Sequence, residues 1–256
     1  MKRRTMFVAS WKANMGTQEQ ATKFFDEIAP ISASFMHEVI LCPNHVFIDM
    51  ASKKMPHTMQ LGAQDVSATG NGPHTGEITA SVLSNFGVKY AIVGHMERRI
   101  AGEDDKAVNK KIKQCLAAGI RPIITVGETL AEYERNMTRV ILERQLMEAL
   151  DGVREYDKLI FCYQPSWSIG TGHFTSGDYT NLIMDFMRKH IQKLTGQPMA
   201  GNVPMLYGGG VTVNNAREYL EQPEVDGLMW GLNTTTAKGL ADMVNLQFVP
   251  KGRLQS

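Results

Sequence analysis

The amino-acid sequence predicts an α/β fold, a (β/α)8 barrel forming a single domain over residues 1–256, and three observations carry that expectation. Eight short apolar runs recur along the whole chain, segments of helical spacing separate them, and polar, glycine-rich stretches gather just after the runs. Alternation of strand and helix alone leaves a doubly wound open sheet or a closed barrel. Length and punctuation favour the barrel. A chain of 256 residues matches its usual size. A barrel also brings all its strand ends to one face, where enzymes of this fold keep their sites.

The strands are expected at residues 6–9, 39–42, 59–63, 90–93, 122–126, 159–163, 204–207 and 227–230. Their hydrophobicity is continuous instead of alternating, as in parallel strands covered on both faces. Between them, Ala107, Ile112, Cys115 and Leu116, and again Val140, Ile141, Gln145 and Leu146, fall at helical spacing. The polar punctuation lies at residues 10–14, 94–99, 164–173 and 208–210 and at Gly231. No low-complexity tract, linker or charge run marks a second domain.

Composition narrows the partners. With 43% hydrophobic residues the chain can bury a large core without staples. A net charge of +1, from 27 basic and 26 acidic side chains, gives no long-range field for nucleic acid or an anionic membrane. Cys42, Cys115 and Cys162 are odd in number, lack Cys-x-x-Cys spacing and sit in apolar segments, so buried free thiols and a reducing cytoplasm are expected. Lys2, Arg3 and Arg4 precede an apolar stretch as in a signal peptide, but Ser10 and Lys12 interrupt it early. No run approaches the roughly 18 apolar residues that span a bilayer. A soluble, unprocessed protein is the expectation.

The post-strand segments carry a recognisable series. Ser10-Trp11-Lys12 with Asn14, the segment Gly94-His95-Met96-Glu97-Arg98-Arg99, and the run from Tyr163-Gln164-Pro165 to Gly170-Thr171-Gly172 resemble the first-strand, histidine and lid motifs of triosephosphate isomerases. Tyr207-Gly208-Gly209-Gly210-Val211 and Val225-Asp226-Gly227 are similar to that family's phosphate-site motifs, and His74-Thr75-Gly76-Glu77-Ile78 to its protruding dimer loop. The match runs in order from about residue 6 to 244 with almost no length change.

The chemistry implied by the resemblance is aldose-ketose isomerisation through an enediolate. It needs a base, an acid that polarises the carbonyl, and a fixed positive charge near the developing oxyanion. Lys12 would supply the charge, although a lysine there could also be an ordinary solvated one. His95, with Glu97 and two arginines after it, could begin a helix whose amide dipoles depress the imidazole pKa, and the resemblance implies a neutral imidazole that donates to the carbonyl. Arg98 and Arg99 read better as an ion-pair network holding the loop. Backbone N–H groups at Gly170, Gly210, Gly231 and Leu232 would receive a phosphate. No metal or organic cofactor is expected, since Lys12 supplies charge and no metal-ligand spacing stands near the strand ends. The resemblance also implies a homodimer, in which residues 74–78 insert beside the neighbour's first-strand motif.

Several positions depart from the family motifs. Gln164 stands where the family has its base glutamate, and an amide has no basic oxygen at neutral pH. Either an inactivating substitution in an otherwise intact enzyme or a natural change of reaction would give this pattern. Ser10 replaces asparagine, Met96 a serine, Gly210 a serine, Leu232 a glycine and His173 a lysine. Ser10 also resembles the tetrulose-phosphate isomerases of erythritol catabolism, which makes a four-carbon ketose phosphate a candidate beside the triose phosphates of glycolysis. The alternative is a catalytically silent barrel that binds a phosphorylated metabolite. A lyase or epimerase on the same fold is a third reading, because fold does not fix function.

Overall fold

The computed structural model describes residues 5–196 and 203–252. Lys2, Arg3 and Arg4 lie outside the described residues. In chain order the elements are β1 (Met6–Ser10), α1 (Gln18–Ser32), β2 (Glu38–Cys42), α2 (Ile48–Lys54), β3 (Met59–Ala63), α3 (Ala80–Asn85), β4 (Tyr90–Val93), α4 (Met96–Ile100), α5 (Asp105–Ala117) and β5 (Arg121–Val126). There follow α6 (Leu130–Glu134), α7 (Thr138–Leu150), β6 (Ile160–Tyr163), α8 (Gly177–Thr195), β7 (Met205–Tyr207), α9 (Ala216–Leu220), β8 (Gly227–Trp230) and α10 (Ala237–Val244). Every strand pairs in parallel with its sequence neighbours, and β1 pairs with β8, so the sheet closes into a barrel in the order β1 to β8.

All eight expected strands form, with shifted borders that have local causes. β7 starts at Met205 because Pro204 has no N–H to give the ladder, although its carbonyl accepts from Phe161 at 3.0 Å. Leu159 is lost from β6 because its N–H turns back to Tyr156 at 3.2 Å to close a short 3-10 turn.

Continuous hydrophobicity is explained by two separate cores. Met6, Val8, Ile40, Cys42, Ile92, Ile123, Ile160, Cys162, Leu206 and Met229 belong to the cluster inside the barrel. The alternate residues, among them Phe7, Leu41, Val93, Ile124, Phe161 and Leu228, join the larger cluster that the helices cover. Each strand therefore buries both faces, which erases the period of two. Val108, Ile112 and Cys115 are the buried stripe of α5, and Ile141, Leu142, Gln145 and Leu146 that of α7. Thr17, Asp104 and Ser176 start α1, α5 and α8 by accepting the N–H three residues on. The three thiols are free and buried as expected, and burial pushes each above its ordinary pKa, which leaves them unreactive.

Among the described residues no helix is long and apolar enough to cross a membrane. The fold matters for function through its mouth. Ser10 ends β1 and Lys12 comes after it, Gln64 follows β3, His95 follows β4, Gln164 follows β6, Gly208 follows β7 and Gly231 follows β8. In a closed parallel barrel all those ends face the same way.

Candidate active site

Lys12 sits in the left-handed region, at φ 49°, a conformation unusual for a residue with a side chain. Three contacts hold it there. Its N–H donates to Ser10 Oγ at 3.2 Å, its carbonyl accepts from Gln64 Nε2 at 2.9 Å, and its Nζ pairs with Glu97 Oε1 at 2.5 Å. Gln64 also donates to the Cys42 carbonyl at 3.1 Å, so one amide bridges the ends of β2 and β1. The lysine stem lies against Gly231: a Cβ there would meet Lys12 Cε at 2.9 Å. Gly231 thus leaves room for the lysine's present path, a role distinct from the phosphate approach expected of it.

His95 is the N-cap of α4, and its Nδ1 accepts the Glu97 N–H at 3.2 Å. An accepting Nδ1 places the proton of a neutral ring on Nε2. Burial, aided by Lys12 and opposed by Glu97 and Asp65, lowers the pKa from 6.5 to about 4. The expected direction is found, with desolvation as its chief cause instead of the helix dipole. The loop around His95 is braced by Glu103, which accepts the Gly94 N–H at 3.1 Å, and by Arg99, which donates to the Gly94 carbonyl at 2.9 Å and pairs with Asp105 at 2.5 Å. Arg98 pairs with Asp65 at 2.8 Å. Both arginines serve the ion-pair network, as their sequence context suggests.

Gln164 is 3% exposed and its Oε1 accepts the Met96 N–H at 2.8 Å, in the turn that carries His95. Its Nε2 makes no hydrogen bond among the described residues. Ser10, Lys12, His95, Gln164, Gly209 and Gly231 line one small cavity of about 30 Å³ at the mouth. Ser10, Lys12 and His95 also border a larger cavity of about 560 Å³ that extends past Gln64, Glu97 and Arg98.

The other anticipated positions lie apart from the small cavity. Gly170 is on the exposed tip of the lid, with open space around its Cβ position, and Leu232 is 59% exposed. The Gly210 N–H is engaged by Ser168 Oγ at 3.1 Å. The base of the lid is fixed by Glu128, a fully buried carboxylate that accepts from Trp167 Nε1 at 2.9 Å and Tyr163 at 3.1 Å. Burial holds that carboxyl above the usual carboxylate range. Gln64, Glu128 and Ser168 were not singled out from the sequence. Gln64 could have been, as a polar residue directly after an apolar strand run; the other two act through partners far away along the chain.

A sequence profile described as Triosephosphate isomerase matches residues 5–247. The triosephosphate isomerase of Aquifex aeolicus is 36% identical over 244 residues, covering 94% of this chain and 98% of the relative. That of Rhodopirellula baltica is 34% identical over 248 residues, covering 95% and 98%, and that of Halorhodospira halophila 35% over 232 residues, covering 90% and 92%. The chain belongs to the triosephosphate isomerase family.

The His95 geometry has a measurable consequence. The unfolded chain takes up the imidazole proton near 6.5 and the folded chain only near 4. The stability linked to this group is therefore present above pH 6.5 and lost as pH falls toward 4. Nitrogen NMR of the ring is expected to report a neutral imidazole protonated at Nε2 from about pH 8 to about 5. A midpoint near the free-histidine value, or an Nδ1 proton, would contradict the assignment.

Proposed function

We propose that this chain is a sugar-phosphate isomerase of the triosephosphate isomerase type, working on a triose or tetrulose phosphate through an enediolate, with proton transfer crippled by Gln164. The observation that carries this reading is the meeting of Lys12, His95 and Gln164 on one cavity. In the forward step a base removes a proton from the carbon next to the carbonyl, and the electron pair moves onto the carbonyl oxygen. The Nε2–H of neutral His95 would donate to that oxygen, and the Lys12 ammonium, held by Glu97, would offset its growing charge. The proton then returns to the former carbonyl carbon, while the hydroxyl proton passes from the other oxygen to the former carbonyl oxygen and leaves the new carbonyl behind. Gln164 stands where the base is needed, and its amide cannot take the proton.

A glutamate in the same place would rest one oxygen on the Met96 N–H and leave the other toward the substrate, which restores the base without moving the scaffold. The tetrulose alternative is supported by Ser10, a small side chain on the cavity shared by Lys12, His95 and Gln164, whose hydroxyl is turned to the Lys12 N–H. Lys12 provides the positive charge that a metal supplies elsewhere, so this reading requires no cofactor. Turnover of the Gln164→Glu protein on triose and tetrulose phosphates is expected to exceed that of the chain as written by at least about a hundredfold. Equal, measurable turnover would mean that another group is the base. No turnover by either protein would favour the silent metabolite-binding barrel.

The same reading includes a homodimer. Residues 71–77 are exposed along their whole length, and the cavity of about 560 Å³ beside Lys12 is large enough to receive a loop. Such a contact would be reciprocal, each copy offering loop and groove. Sedimentation should give a dimer at micromolar concentration, and Thr75→Arg should shift it toward monomer. A well-folded monomer of the unsubstituted chain would refute the expectation.

A further inference from the structure

The lid is held down by a contact that the mechanism above does not use. Ser168, completely buried, accepts the Gly210 N–H at 3.1 Å and donates its own proton to the Pro165 carbonyl at 2.9 Å. The Phe174 ring covers the same glycine: a Cβ added to Gly210 would lie 2.7 Å from Phe174 Cδ1 and closer still to the Ser168 carbonyl oxygen, which is backbone and cannot yield. Gly209 is also covered, since a Cβ there would meet Ser168 Oγ at 2.5 Å. This resting position of the lid is therefore built on a bare Gly209–Gly210 turn. A serine at 210 could not share the space with the lid where it lies.

We infer that the Ser168 hydroxyl is a latch on the anion seat: it holds the Gly210 N–H while the site is empty, and a phosphoryl oxygen must displace it to gain that donor. The inference rests on the sugar-phosphate reading for the identity of the anion. Its physical basis is competition. One N–H directed at Ser168 Oγ cannot donate with full strength to a second acceptor, so ligand binding at this glycine includes the loss of the Ser168 bond. Ser168 is thus a positioning residue for the lid, and it makes binding and lid release one event.

Both ends of the lid have other anchors as well, and the latch lies one residue after the first of them. Trp167 is tied to Glu128 at 2.9 Å, and Thr175 donates to Tyr207 at 2.7 Å. Between them the tip, with Gly170 and Gly172 at positive φ, stands clear of neighbours at both Cβ positions. Release at Ser168 would remove the hold that borders this tip while Trp167 and Thr175 stay pinned.

The test is Ser168→Ala, a change of one buried hydroxyl that leaves volume and backbone almost intact. Calorimetric titration with 2-phosphoglycolate, a phosphate carrying a planar carboxylate, is expected to give about two- to tenfold tighter binding in Ser168→Ala than in the unsubstituted chain. Structural damage would weaken binding, so the sign of the change separates a latch from a scaffold. Hydrogen exchange at the Gly210 amide, measured without ligand, should be faster in the variant. Equal or weaker binding by Ser168→Ala, or a Gly210 amide as protected as before, overturns the latch. Absence of binding by both proteins overturns the sugar-phosphate reading itself, and the assignment of the latch to an anion seat falls with it.

Discussion

The site depends on the contact between Lys12 and Glu97, an ion pair at 2.5 Å that ties the end of β1 to the first turn of α4 across the barrel mouth. Its partners are 27% and 51% exposed, so water screens it and its contribution to folding is small, on the order of 1 kcal/mol or less. Stability does not explain why the backbone of Lys12 accepts a left-handed conformation. Position does. Ser10 Oγ, the Gln64 amide and Glu97 each fix a different part of one residue, and the bare face of Gly231 gives the stem its path. The result is a positive charge held at a defined point beside His95.

The same arrangement sets the electrostatics of His95. Burial and the neighbouring ammonium both disfavour an imidazolium, and together they outweigh Glu97 and Asp65, which favour it. A neutral ring whose Nδ1 is already occupied can act only as an Nε2–H donor. The mouth thus offers one fixed cation, one neutral donor and, at Gln164, one amide. Two of the three groups suit enediolate chemistry; the third keeps the shape of a base without its proton affinity. On the proposed reading, binding and proton transfer are thereby separated within one site.

The fold was legible in the sequence because both faces of each strand are buried, which writes every strand as a continuous apolar run bounded by polar residues. What periodicity could not supply was closure, since β1 meets β8 through residues more than 200 positions apart, such as Met6 and Gly227. Lys12, His95 and Gln164 were legible because each directly follows or lies close behind a strand. Ser168 was not, because its partner Gly210 lies 42 residues away and neither residue type signals the contact. Gly231 was legible as a glycine at a strand end, but what the structure places against it is the lysine stem, a contact with no sign in the sequence.

Substituting the base should impair turnover far more than ground-state binding, because contacts remote from the proton transfer survive its loss. The most direct measurement is calorimetry of the chain as written against triulose and tetrulose phosphates, with the unphosphorylated ketoses as controls. Measurable binding of at least one phosphorylated ketose, and none of its unphosphorylated counterpart, is the predicted result. Failure of every phosphorylated ketose to bind would contradict the account, showing that the altered shell of Ser10, Gly210 and Leu232 no longer accepts sugar phosphates.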